Sequence, residues 1–187
     1  MSSNATQETM NFNGVNVIKM GETVQAVTDQ PELAQFKFRA HNRWQNGGHN
    51  QIRLDGYYGT CQEIKHETPF ELDADEPPVL LGNGKGANPA EYLLTALSSC
   101  MTTSMVYHAA AQGIKVDSVE SEYEGDIDLR GFLNLNPDVR KGYQEIRVRF
   151  KVKSDADKEK LNEMVRHSPM FDAIRNPTPV KVEFVTE

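Results

Sequence analysis

Cysteine is almost absent. The chain of 187 residues has only 2, Cys61 and Cys100, too few for a disulfide scaffold, and no Cys-x-x-Cys pair that would mark a dithiol redox motif. The histidines His41, His49, His66, His108 and His167 lack metal-ligand spacing, so no metal and no cofactor is expected. Basic charge is also short, with 20 lysines and arginines against 27 acidic residues and a formal charge of -7. That balance leaves no field to draw the molecule onto nucleic acid or an anionic membrane. Met1 to Gly14 lacks the basic start and apolar stretch of a signal peptide, and the expected location is the cytoplasm. Between Glu91 and Lys115 there is no charged side chain at all. The polar residues inside that stretch, among them Thr95, Ser98, Ser99 and His108, argue against a membrane span and for a helix buried by protein. Neither an internal repeat nor a βαβ alternation is present, which excludes a doubly wound parallel sheet.

What is present is globular composition, 38% hydrophobic and 25% charged, in a length suited to one domain with a terminal appendage. Residues 1–34 read as an N-terminal helical extension of one or two short helices, with Asn13 as a possible cap. From Gln35 the pattern alternates through Phe36, Phe38 and Trp44, turns at Asn46-Gly47-Gly48, and alternates again through Ile52, Leu54 and Tyr57, which predicts a β-hairpin with a long first strand. A third strand is expected around Thr68 to Leu72. The acidic stretch Asp73 to Pro78 lacks the spacing of a calcium loop and reads as a solvated turn without metal. Gly82-Asn83-Gly84-Lys85-Gly86 reads as a crossing loop, since it has neither the spacing nor the hydroxyl of a nucleotide loop. Asn88 and Pro89 then open a helix that Gly113 closes. Strands are expected at Val116 to Leu129 and Tyr143 to Val152, helices at Asp155 to Arg166 and Phe171 to Arg175, and a last strand at Val180 to Val185. The order predicts an α+β fold with mostly antiparallel sheets.

Cys100 is the residue to watch for chemistry. It sits mid-helix, and positions 93, 97, 100, 104 and 108 fall near one helical face, which points the thiol inward. For an arbitrary helix the plain reading is a small buried hydrophobe. Asn88-Pro89-Ala90-Glu91-Tyr92-Leu93-Leu94-Thr95-Ala96-Leu97-Ser98-Ser99-Cys100, with Ser168-Pro169-Met170-Phe171-Asp172 and Asn176-Pro177-Thr178-Pro179-Val180 further on, resembles the OsmC and organic-hydroperoxide-resistance family. The resemblance covers residues 35–187. It implies an intertwined homodimer around a long central helix, active sites at the subunit interface, and a peroxidatic cysteine, a role that falls on Cys100. Attack on a hydroperoxide needs a thiolate, and therefore a nearby cation or several donors.

The chain also departs from the family pattern. Ser168 stands where the family carries its second cysteine, and serine closes no disulfide. Ala90 replaces a glutamate found after the Asn-Pro pair in several peroxidases, although Glu91 fits a common variant and is a catalytic candidate. Nine residues at 100° per residue put Glu91 on the side of the helix opposite Cys100, so a carboxylate complementing the helix dipole is the competing reading. The activating arginine has no direct counterpart. Arg43 and His49 flank the first hairpin turn and are the nearest candidates, Arg43 first. Cys61 could replace the missing thiol only if its Cα came within about 7 Å of that of Cys100. His108, eight residues after Cys100, is either a core histidine or a base for the thiol. Two functions follow: reduction of organic hydroperoxides through Cys100 with an external dithiol reductant, or a non-catalytic dimer binding a small apolar or thiol ligand at its interface.

Overall fold

A computed structural model describes residues 10–186. They form two compact units, one built on Asn16–Leu93 and the other on Phe12–Val15 with the chain from Leu94 onward.

In the first unit a helix, α1 (Val17–Asp29), follows a two-rung hairpin of β1 (Asn11–Phe12) and β2 (Val15–Asn16). Its cap is Asn16, whose side chain accepts from Lys19 N. Asn13, the cap expected from sequence, instead sits in the hairpin turn at φ 50°. Its amide donates to Ile114 O and accepts from Val116 N, at 2.8 and 3.0 Å, as a backbone rung would.

The sheet of this unit holds β3 (Lys37–Phe38), β4 (His41–Asn46), β5 (His49–Gly59) and β6 (Gln62–Ala74), with every pair antiparallel. The expected long first strand is thus broken into β3 and β4, which pair with different parts of β5. The third strand is much longer than Thr68 to Leu72. It begins right after a tight turn at Thr60 and Cys61, both left-handed at φ 48° and 61°. Ladder neighbours share a face, so the register sorts the side chains. Trp44, Ile52, Leu54, Phe70 and Leu72 lie on one side and His41, Arg43, Gln51, Arg53, Glu71 and Asp73 on the other. A chain of ring contacts from Phe36 through Phe38, Tyr57 and His66 to Phe70 extends the apolar side.

The acidic stretch is not a solvated turn. Asp75 is 1% exposed, and its carboxylate accepts from the backbone N–H groups of Glu76, Asn83 and Lys85. Burial alone would push this carboxyl up, but the three amide donors outweigh it and hold it below its ordinary value. The glycines permit the wrapping: a side chain at Gly82 would strike the carbonyl of Glu76, and one at Gly86 that of Asp73. Among the described residues no cluster of three or more His, Cys, Asp or Glu side chains could hold a metal ion.

The second unit carries most of α2 (Pro89–Ala111), then β7 (Val116–Asp126), a single helical turn α3 (Leu129–Phe132), β8 (Glu145–Ser154), α4 (Lys158–Val165) and α5 (Pro169–Arg175). Gly113 ends α2 at φ 66°, with Gly113 N donating to Ala110 O and Ile114 N to Ala109 O, a Schellman closure. Leu97, Met101, Met105 and Ala109 of α2 form the core with Met164 and Val165 of α4, and Val119, Tyr123, Ile146, Phe150 and Val152 of the β7–β8 ladder pack against them. On the other face of that ladder β7 is acidic and β8 basic, with Glu120, Glu122 and Glu124 directly opposite Lys151, Arg149 and Arg147. Arg147 binds Glu124, Asp126 and Glu145 together, which raises its already high pKa further.

Residues 177–186, where a last strand was expected, form no strand. The alternation is real, but a strand also needs a partner for its N–H and C=O groups, and among the described residues this segment pairs with none. Val180, Val182 and Phe184 are 81%, 71% and 86% exposed.

Candidate functional site

The start of α2 is a capping box. Asn88 Oδ1 accepts from Ala90 N at 2.7 Å, and Glu91 Oε2 accepts from Asn88 N at 2.8 Å. Asn88 also donates to the Glu76 carboxylate, and Tyr92 Oη donates to the carbonyl of Asp73 at 2.8 Å. These contacts tie the helix start to the wrapped loop and the end of β6. Glu91 thus has a structural task, and nine residues at about 1.5 Å rise put it roughly 13 Å along the axis from Cys100.

Cys100 is half-buried and a free thiol. The buried stripe of α2 runs through positions 97, 101, 105 and 109, so Cys100 flanks the core instead of pointing into it as the 93/97/100/104/108 face would require. Its neighbouring hydroxyls are spent on the helix backbone: Ser98 Oγ donates to Thr95 O at 2.9 Å and Ser99 Oγ to Thr95 O at 3.0 Å. Cys100 Sγ has no hydrogen bond or ion pair among the described residues. His108 lies about 12 Å further along the same helix and stacks on His167, ring centroids 4.3 Å apart. It is not a base for the thiol of its own helix.

Ser168 stands where the family resemblance implies a second cysteine. It is fully buried, and its Oγ accepts from Phe171 N at 3.2 Å as the cap of α5. Cys61 is the other free thiol, exposed in the β5–β6 turn of the first unit.

Arg43 lies on the polar face of the first unit, in a shallow groove of about 300 Å³ shared with His41, Gln51, Arg53, Glu71 and Asp73. Arg53 is held by Asp55 and Glu71 at 2.7 Å each, and Asp73 accepts from His49 at 2.7 Å, a bond that holds its carboxyl below the usual range. Arg43, by contrast, has no ion-pair partner among the described residues. Arg43 and Glu91 belong to the first unit and Cys100 to the second.

Two participants escaped the sequence reading. The partnership of His167 with His108 has no local signal, since the two are far apart in the chain. Tyr123, whose Oη donates to Met101 Sδ at 3.8 Å, is one of several alternating strand residues, and burial raises its phenol pKa.

Comparison with known proteins gives a consistent answer. No curated protein matches the chain. Solved structures do: an OsmC-like protein from Mycoplasma pneumoniae has a TM-score of 0.56 at 16% identity over 75% of this chain and 89% of its own. A putative osmotic stress induced and detoxification response protein from Psychrobacter arcticus 273-4 has a TM-score of 0.54 at 17% identity, over 76% and 91%. A Legionella pneumophila protein described as an organic hydroperoxide resistance protein OsmC and predicted redox protein has a TM-score of 0.51 at 17% identity, over 76% and 91%. These likenesses show a shared OsmC-like fold, α+β with antiparallel sheets. The family profile for OsmC-like proteins matches residues 82–183, more than half of the chain, from the glycine-rich loop through α2 and Cys100 to α5 and beyond. The chain belongs to the OsmC-like protein family.

Proposed function

We propose that the protein reduces organic hydroperoxides with the thiolate of Cys100, in a site completed by Arg43 of a second copy. The observation that carries this reading is the complementary incompleteness of the two residues: a half-buried thiol with no hydrogen bond or ion pair, and an arginine with no carboxylate, among the described residues. In the reaction the sulfur attacks the distal peroxide oxygen, an S–O bond forms as the O–O bond breaks, and the departing alkoxide takes a proton to leave as an alcohol. Cys100 is left as a sulfenic acid. Because Ser168 cannot condense with it, an external dithiol restores it. One thiol displaces water to form a mixed disulfide, and the second closes the reductant's own disulfide and frees Cys100. In this reading Glu91 fixes the start of the helix that carries the thiol and takes no chemical step.

Assembly is part of the proposal. Phe38, Trp44 and Phe70 are 78%, 66% and 56% exposed on the apolar face of the first sheet, a patch that a stable soluble chain covers. A two-fold dimer is expected by light scattering at micromolar concentration, and a monomeric mass would exclude it. The composite site has its own test. Arg43→Ala and Cys100→Ser are each expected to consume cumene hydroperoxide poorly, whereas mixing and reannealing them restores up to about a quarter of the native rate, because half the dimers then hold one complete site. Mixtures no faster than the sum of their parts would sink the assignment of Arg43.

The alternative, a dimer that binds a small apolar or thiol ligand without chemistry, is favoured by one observation only, the replacement of the second cysteine by Ser168.

A further inference from the structure

His108 and His167 stack at 4.3 Å between ring centroids with 25° between planes, at the rim of the second unit's core. His108 is half-buried on α2 next to Ala109, which is fully buried. His167 is exposed and sits in the link between α4 and α5. Met164, Val165 and Ser168 around it are 1%, 6% and 0% exposed, so this corner is driven into the core and the ring pair closes over it.

The charges around the pair are few. α2 contributes none, since no Asp, Glu, Lys or Arg lies between Glu91 and Lys115. α4 contributes Glu163, already held by Lys160 at 2.9 Å. On α5, Asp172 accepts from the side chain of Asn176, and Arg175 lies over the ring of Phe171. The charges of the β7–β8 ladder lie on its other face, away from the core. Among the described residues Glu163 is the acid placed to offset a second proton on the stacked rings, and Arg166, directly before His167, carries charge of the same sign as that proton.

We propose that the stacked pair His108–His167 is a pH-sensitive latch, which holds the α4–α5 corner against α2 while at most one ring is protonated and releases it when both are. Two imidazolium rings at stacking distance repel, and a charged ring at position 108 also loses hydration. Both effects act in the same direction: burial first, then the charge on His167, push His108 below its ordinary value, against a smaller pull from Glu163. The sign follows from proton linkage. With His108 depressed in the folded state, the unfolded corner binds more protons below about pH 6.5, so its stability is full above that pH and falls as acid protonates His108.

Hydrogen–deuterium exchange of the full chain at pH 7.5 and 5.5, corrected for intrinsic rates, reads this out. Protection of residues 158–176 is expected to drop at the lower pH, while β7 and β8 stay protected. His167→Phe, at an exposed position where a ring still stacks but cannot charge, is expected to shrink the drop to the part that burial of His108 causes, and His108→Phe should abolish it if it folds. A drop of equal size in native protein and in His167→Phe would overturn the latch, and so would pH-independent protection in the native protein. A proton NMR titration placing the His108 midpoint at or above about 6.5 would overturn it as well.

Discussion

Gly86→Ala is expected to lower the thermal unfolding midpoint by about 6–12 °C. The added methyl would strike the carbonyl oxygen of Asp73, which is backbone and cannot swing aside. Overpacking against an immobile atom costs about 3 kcal/mol, and each kcal/mol is worth roughly 2–4 °C in a chain of this size. Gly84 is the control. It is left-handed at φ 63° with nothing near its missing side chain, so Gly84→Asn should cost little, since asparagine tolerates that conformation. Asp75→Asn should act in the same direction as Gly86→Ala, because an amide in place of the carboxylate loses acceptor capacity toward three backbone N–H groups. It should also flatten the acid limb of the stability curve. A carboxyl held low in the folded state contributes stability that is complete above the usual carboxylate range and is lost as pH falls below about 4. Equal midpoints for Gly86→Ala and Gly84→Asn by calorimetry would show that the loop does not need its close approach. The effect reaches the site because the loop delivers Asn88 to its cap, and that cap starts the helix of Cys100.

Cys100→Ser is expected to erase the peroxide chemistry while leaving the fold intact, since the exchange is nearly isosteric at a half-buried position. With one equivalent of cumene hydroperoxide the native protein should gain a single oxygen in intact-mass spectrometry, the sulfenic acid. Excess peroxide should carry it on to sulfinic and sulfonic acids, because Ser168 cannot trap the intermediate. Cys61→Ser should behave as the native protein does, since Cys61 lies exposed in the β5–β6 turn of the other unit. A loss of two hydrogens that dithiothreitol reverses would show instead that Cys61 resolves Cys100. A native protein whose Cys100 reacts no faster than free cysteine would favour the binding function.

The parts of the fold legible in the sequence are those set by local chemistry. Asn88-Pro89 and Gly113 bound α2 because capping and left-handed closure are decided by a few adjacent residues, and Gly47-Gly48 turns β4 into β5 for the same reason. The face of α2 was misread because a helix without charges, rich in Ala, Ser, Thr and Met, offers no polar side to fix its phase, so a stripe at 93/97/100 fits as well as the actual one at 97/101/105. Asp75 was hidden in a run of carboxylates, although glycines at 82, 84 and 86 could have signalled a loop wound around an acceptor. Asn13 and Asn16 are equally good caps by type, and a hydrogen bond across the chain to Ile114 decided between them. The alternation at Val180 to Phe184 says that these residues suit a strand, but it cannot supply the edge on which one forms. At the site, the thiol was legible from its motif, while the pairing of His108 with His167 depends on packing that no local pattern encodes.

The opposed charges of β7 and β8 bear on how the second unit assembles itself. The segment 127–144 joins these strands, and closing a loop of that length costs about 2–3 kcal/mol of chain entropy before any side chain is buried. An acidic strand and a basic strand attract from a distance. Their encounter is therefore favoured before the apolar face of the ladder has met α2. Salt that screens this attraction over about 10 Å would slow the search while leaving the finished core untouched, so the ladder governs the rate of folding more than the depth of the folded state.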